Sequence, residues 1–198
     1  MMLHINGEQG LLISPTKMQS VLFRVDSTLS SKVVLAMDPL QKNAREELQE
    51  YILGSIVMTF NDDYDDAYYV EQVAAEKGWG PFLYLVGMLH ATNHGLSPHN
   101  EKVSDKAKAV WEEFGDYPRN VIRSRRLAID YHMEDYLNRS YSIVSDSLKK
   151  QIREEMRQAV DTGRNALGRD TRKEKVIFDA GDSWLFNRVG RVYDPSLY

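Results

Sequence analysis

The chain contains no cysteine among its 198 residues. That excludes a disulfide framework, a thiolate zinc site and a cysteine nucleophile, and it fits a reducing compartment. Strong charge of one sign is also lacking: the formal net charge is -4 at pH 7, so no global field recruits nucleic acid or an anionic membrane. No apolar run approaches the roughly 20 residues that a membrane span needs, and the longest candidate, Phe82 to Leu89, falls far short. The opening residues, Met1 to Gly7, lack the basic and apolar segments of a secretory signal. Repeats and low-complexity linkers are missing too, so residues 1–198 read as one soluble, cytoplasmic α/β domain with no membrane partner.

What remains is ordinary globular material. Hydrophobic residues make up 42% and charged residues 27%, a balance that rules out wholesale disorder. Leu3-His4-Ile5 and Leu11-Leu12-Ile13 read as short strands around a glycine-bearing turn, and Lys17 to Val25 fits helix or strand. Lys32 to Met37 reads as a strand closed by Asp38-Pro39, Asn43 to Gln49 as a short helix, and Tyr51 to Phe60 as a strong strand. An acidic turn, Asp62 to Asp66, leads into an extended stretch from Ala67 to Ala75.

Gly78-Trp79-Gly80-Pro81 then opens a helix from Phe82 to about Thr92, with Gly80 at the N-cap and Pro81 at the first helical position. Asn93-His94-Gly95 stops it, Leu96-Ser97-Pro98 is extended, and Ser104 caps a second helix that Gly115 terminates. Residues 119–174 read as a helical insertion, within which Leu148, Ile152, Met156 and Val160 mark an amphipathic helix. Lys175 to Phe178 and Trp184 to Tyr193 read as a closing hairpin turned at Ala180-Gly181-Asp182.

A strand that ends in a glycine turn and opens directly into a helix suits an anion. First-turn N–H groups point outward, and the helix dipole favours negative charge there. Gly78-x-Gly80 has this form, but so do ordinary tight turns.

Two neighbouring patterns give the turn a family context. In the GNAT superfamily of acyltransferases the fourth strand ends in an Arg/Gln-x-x-Gly-x-Gly/Ala loop, followed by a helix of the form Asn-x-x-Ala-x-x-Leu-Tyr-x-x-x-Gly-Phe. Here Lys77-Gly78-Trp79-Gly80 holds the comparable place, and Ser104-x-x-Ala107-x-x-Val110-Trp111-x-x-x-Gly115-Asp116 repeats the second spacing. Tyr51 to Gly115, about a third of the chain, therefore resembles the GNAT core. Gly80-Pro81-Phe82-Leu83-Tyr84 taken with Val103-Ser104-Asp105, and a later Tyr136 to Tyr141 segment, is also similar to GNAT-like bacteriophage proteins.

The resemblance implies a mixed, mostly antiparallel sheet flanked by helices. It also implies an N-acyltransferase that takes acetyl-coenzyme A or another acyl-coenzyme A, with a small-molecule or protein amine as acceptor. The pyrophosphate and thioester would be held by the backbone of Val73, Ala75, Lys77, Gly78, Trp79, Gly80 and Phe82. A phage origin would place the chain in the host cytoplasm or the virion.

Acyl transfer needs a neutral amine, an N–H near the thioester carbonyl and a proton for the leaving thiolate. Glu71 and Glu76 are candidate bases, each with solvated carboxylate as the plainer reading, and Tyr84 is a candidate proton donor or core residue. Trp111 stands where many family members carry the tyrosine that protonates the thiolate, and an indole N–H cannot take that role. A non-catalytic phage structural or host-interaction protein on the same scaffold is therefore the alternative reading.

Three other groupings bring chemically capable side chains together in the sequence. His90 and His94 share one helix face, with His99 a third imidazole, but the zinc-protease glutamate is replaced by Ala91. The acidic turn lacks the glycine and distal glutamate of a calcium loop. Arg119, Arg123, Arg125 and Arg126 form a basic cluster able to touch nucleic acid or a coenzyme phosphate, or simply a solvated face.

Overall fold

Two facing strands, Gly10–Thr16 (β1) and Gln19–Arg24 (β2), begin the computed structural model, which describes residues 10–41, 43–61 and 65–190. The strand expected at Leu3 to Ile5, residues Asp62, Asp63 and Tyr64 of the acidic turn and the end of the expected hairpin, Arg191 to Tyr193, lie outside the described residues. Leu11 and Leu12 alternate in direction, so β1 contributes to the apolar layer on each face.

Leu29–Met37 (α1) is a helix, which corrects the strand expected at Lys32 to Met37. Val33-Val34-Leu35 has strand propensity, but Leu29, Val33 and Ala36 recur at helical spacing and are the residues it buries. Asp26 starts it: its Oδ1 accepts from the N–H groups of Thr28 at 2.8 Å and Leu29 at 3.0 Å. Ala44–Leu48 (α2) follows, then Ile52–Asn61 (β3) and Ala67–Ala75 (β4).

Gly80–Ala91 (α3) leads to the two-residue strand Leu96–Ser97 (β5) and then to Asp105–Asp116 (α4). Ser104 caps α4 as expected, its Oγ accepting from Ala107 N at 3.3 Å, but the helix runs through Gly115 rather than stopping there.

Beyond α4 the expected order of elements is overturned. The closing antiparallel pair is Ile122–Arg126 (β6) with Arg139–Ile143 (β7), inside the stretch whose sequence predicts a helical insertion. Asp146–Leu167 (α5) is the expected amphipathic helix. Thr171–Gly190 (α6) is a helix where a closing hairpin was expected. Gly181 is not a turn: a Cβ there would stand 2.5 Å from Val21 Cγ1, so the glycine lets α6 lie against β2.

The result is an α/β fold with a seven-stranded, mostly antiparallel sheet in the order β1-β2-β3-β4-β5-β7-β6. β4 and β5 are the parallel pair, joined by α3 as the crossover. One apolar layer joins α3, α4 and α5 to the sheet through Leu83, Trp111 and Ile152. The other joins α1, α2 and α6 to it through Val33, Leu48 and Ile177.

Among the described residues, no helix is long and apolar enough to cross a membrane.

Candidate functional site

The parallel pairing of β4 with β5 covers only Tyr68↔Leu96 and Tyr69↔Ser97, whereas β4 pairs with β3 along its full length to Ala75. The sheet is therefore split along one side of β4 from Val70 onward. Glu76 donates its N–H to Leu53 O on β3 at 2.8 Å. Strand amides alternate in direction, so Val73 and Ala75 turn theirs toward the split.

The split faces the turn that begins α3. Trp79 donates its N–H to Glu76 O at 3.1 Å, and Gly78 takes φ +95°, a conformation glycine adopts without strain. Trp79 is the N-cap, so Gly80 and Pro81 open the helix one residue earlier than expected. Helix geometry leaves the N–H groups of Gly80 and Phe82 without intrahelical partners. Gly80 faces open space: beyond its chain neighbours and its own helix, no described residue comes within 4 Å of where its Cβ would be. Lys77 and Gly78 are exposed beside it.

Trp79 and Phe82 contribute side chains to the core instead, both nearly fully buried and edge to face with ring centroids 6.5 Å apart. They fix the turn rather than cover it. At the vertex of the split, where the β4–β5 pairing ends, the buried Ser97 Oγ has no hydrogen-bond partner among the described residues.

The candidate acid–base groups are scattered. Glu76 is at the end of β4, and its carboxylate takes a hydrogen bond from Arg24 at 3.1 Å, both side chains being partly exposed. Glu71 lies exposed at a bulge of β4 and accepts from Thr59 Oγ1 at 2.7 Å. Tyr84 is buried against Trp111 and Phe114, at ring separations of 5.0 Å and 6.3 Å, and burial pushes its phenol well above the usual range. It stays protonated at neutral pH. Trp111 is a core residue, also packed against Tyr141 with the rings tilted and their centroids 5.3 Å apart.

The histidines do not converge. His94 Nδ1 meets Asp66 Oδ1 at 3.1 Å, whereas His99 Nδ1 accepts from Glu101 N at 3.0 Å and Lys102 N at 3.2 Å. His90 Nε2 is buried without a partner among the described residues, and burial, followed by the charge of Lys17, lowers its pKa. Among the described residues no three such side chains gather as a metal site.

The arginine cluster is divided as well. Arg125 donates to Asp65 O at 2.6 Å and Arg126 to Asp130 at 2.8 Å, while Arg119 lines a cavity beyond α4. Sequence reasoning missed that cavity, the Arg24–Glu76 pair and Ser97; each depends on strand register, which no local pattern announces. Comparison with protein-family models, with curated proteins and with solved structures finds no match for this chain.

Proposed function

We propose that the chain is a GNAT-like acyltransferase that takes an acyl-coenzyme A at the split beside β4 and passes its acyl group to an amine. The observation that carries this reading is the coincidence of the split with the glycine turn. The amides of Val73 and Ala75 that β3 does not use and the first-turn amides of Gly80 and Phe82 belong to the end of β4 and to the helix that follows it, and in this reading they serve one ligand. The residues fit the ligand. Phosphate oxygens suit the amino end of α3, with exposed Lys77 adding positive charge. A thioester carbonyl suits a strand N–H that no neighbouring strand uses, and Ser97 Oγ offers a further polar contact.

When bound, the thioester supplies an activated acyl carbon. The amine nitrogen bonds to that carbon and the carbon–sulfur bond breaks; the amine gives up a proton and the thiolate gains one. Glu76, held by Arg24 at the end of β4, is the carboxylate best placed in the chain to hold the amine's proton. The burial of Tyr84 and Trp111 assigns them to packing, so the thiolate's proton comes from water in this reading.

A non-catalytic role on the same scaffold, as a phage structural or host-interaction protein, is the second reading. The core placement of Trp111 favours it, because that position offers no acid.

Titration calorimetry of acetyl-coenzyme A and coenzyme A into the wild type and Gly80→Asp tests the proposal. The open space at Gly80 accommodates the new side chain, and a carboxylate in the first helical turn suits the dipole, so the variant should fold. Micromolar binding that the variant loses at unchanged melting temperature supports the reading. Absence of binding to the wild type, or equal binding by both, overturns it.

A further inference from the structure

A cavity of about 390 Å³ opens at the carboxyl end of α4, between that helix and the β6–β7 pair. We infer that it binds a small free amino acid as the zwitterion. The last turn of α4 leaves backbone carbonyls without intrahelical donors and presents the negative end of the helix dipole. Glu112 and Asp116 line the same side, and neither is in a salt bridge with another described residue. Tyr117 and Tyr136 also line the cavity, and aromatic rings tolerate a cation beside them. This half of the cavity suits an ammonium group.

The other charge facing the cavity is Arg119. It is exposed and makes no ion pair within the described residues, so its guanidinium fork is available to a carboxylate. Arg139 is already neutralised: its Nε donates to Asp135 at 3.0 Å and its Nη1 reaches Ser124 at 3.4 Å. An anion alone would face Glu112 and Asp116, and a cation alone would leave Arg119 unpaired. A ligand carrying both charges a few bonds apart satisfies each half.

Gly115 keeps the space open. Its missing Cβ would lie 3.8 Å from Tyr141 Oη and 4.0 Å from Tyr136 Cβ, so a longer side chain there would fill the cavity. The volume is at the small end of ligand sites, which suits one amino acid rather than a peptide or nucleotide. None of the residues lining the cavity belongs to the Gly78–Gly80 turn, so the inference is independent of the acyl-coenzyme A reading.

The test is a ¹⁵N-correlation NMR titration of the whole chain with each common free amino acid, followed by the carboxamide and N-acetyl derivative of any that binds. At least one amino acid should shift the amide signals of Gly115, Arg119 and Tyr136. Its carboxamide and its N-acetyl form should each bind at least about tenfold more weakly, as loss of one charge-assisted contact requires. Arg119→Ala, an exposed change that leaves the fold intact, should weaken the zwitterion by a similar factor while barely affecting the carboxamide. Gly115→Leu should abolish binding. Failure of every amino acid to shift those signals at millimolar concentration overturns the inference. So does a carboxamide that binds as tightly as the parent with Arg119→Ala without effect.

Discussion

Tyr84 on α3 meets Trp111 on α4 edge to face, with ring centroids 5.0 Å apart, and this contact ties the two helices together over one face of the sheet. Trp111 is almost wholly buried and also touches Phe114 and Tyr141. Trp111→Ala should therefore cost about 3–5 kcal/mol, the usual range for emptying a buried aromatic site. Urea unfolding with an unchanged slope measures it, and a loss below about 1 kcal/mol would show that α4 is not anchored there.

Asp65 is buried, with its carboxylate accepting from the Tyr69 hydroxyl and from Ala128 N at 2.7 Å. Asp65→Ala removes the acceptor of both hydrogen bonds and should destabilise by about 1–3 kcal/mol, whereas Asp65→Asn, which keeps one acceptor, should cost less. The same change should release the Tyr69 phenol, which burial and then the Asp65 hydrogen bond hold far above its ordinary value. Ultraviolet titration of tyrosine against pH checks the second point.

Gly163 sits where α5 crosses β1, and a Cβ there would stand 2.1 Å from Leu11 Cδ1. Alanine is the better helix former by roughly 1 kcal/mol, but overpacking typically costs about 1–3 kcal/mol. We expect Gly163→Ala to lower the melting temperature. A rise would mean that Leu11 moves aside without strain.

His90 is held below its ordinary pKa of 6.5 by burial first and by the charge of Lys17 second. Between the folded and unfolded pKa values the unfolded chain binds more protons, so stability increases with pH there. The protein should lose stability as pH falls below 6.5, and His90→Gln should flatten that part of the profile. Denaturation midpoints at about pH 7.5 and about pH 5.5 compare the two; parallel profiles would remove His90 as the cause.

Much of the central fold was legible because its signals are local. Ser104 supplies a side-chain cap, Gly78 takes the left-handed conformation that a strand-to-helix turn needs, and Leu148, Ile152 and Met156 share one face of α5. The failures have one physical origin. Val33-Val34-Leu35 prefers extended backbone in isolation, yet packing of Val33 and Ala36 against α2 and α6 makes it helical. Gly181 reads as a turn in isolation, yet its missing side chain is what lets α6 approach Val21. In the candidate site, the turn and its residues were visible, but the alternation that points the amides of Val73 and Ala75 into the split emerges only from pairing with β3. The role expected of Tyr84 was likewise indistinguishable from packing until its neighbours were known.

The brevity of β5 has a mechanical consequence. The four strands on one side and the two on the other are joined through a strut that meets β4 at two residue pairs and β7 at one. Bending at that strut breaks few backbone bonds, and α3, which packs on β3 and on β7, acts as the spring that resists it. The few backbone bonds at that strut should therefore exchange their amide hydrogens sooner than those of the long β3–β4 pairing.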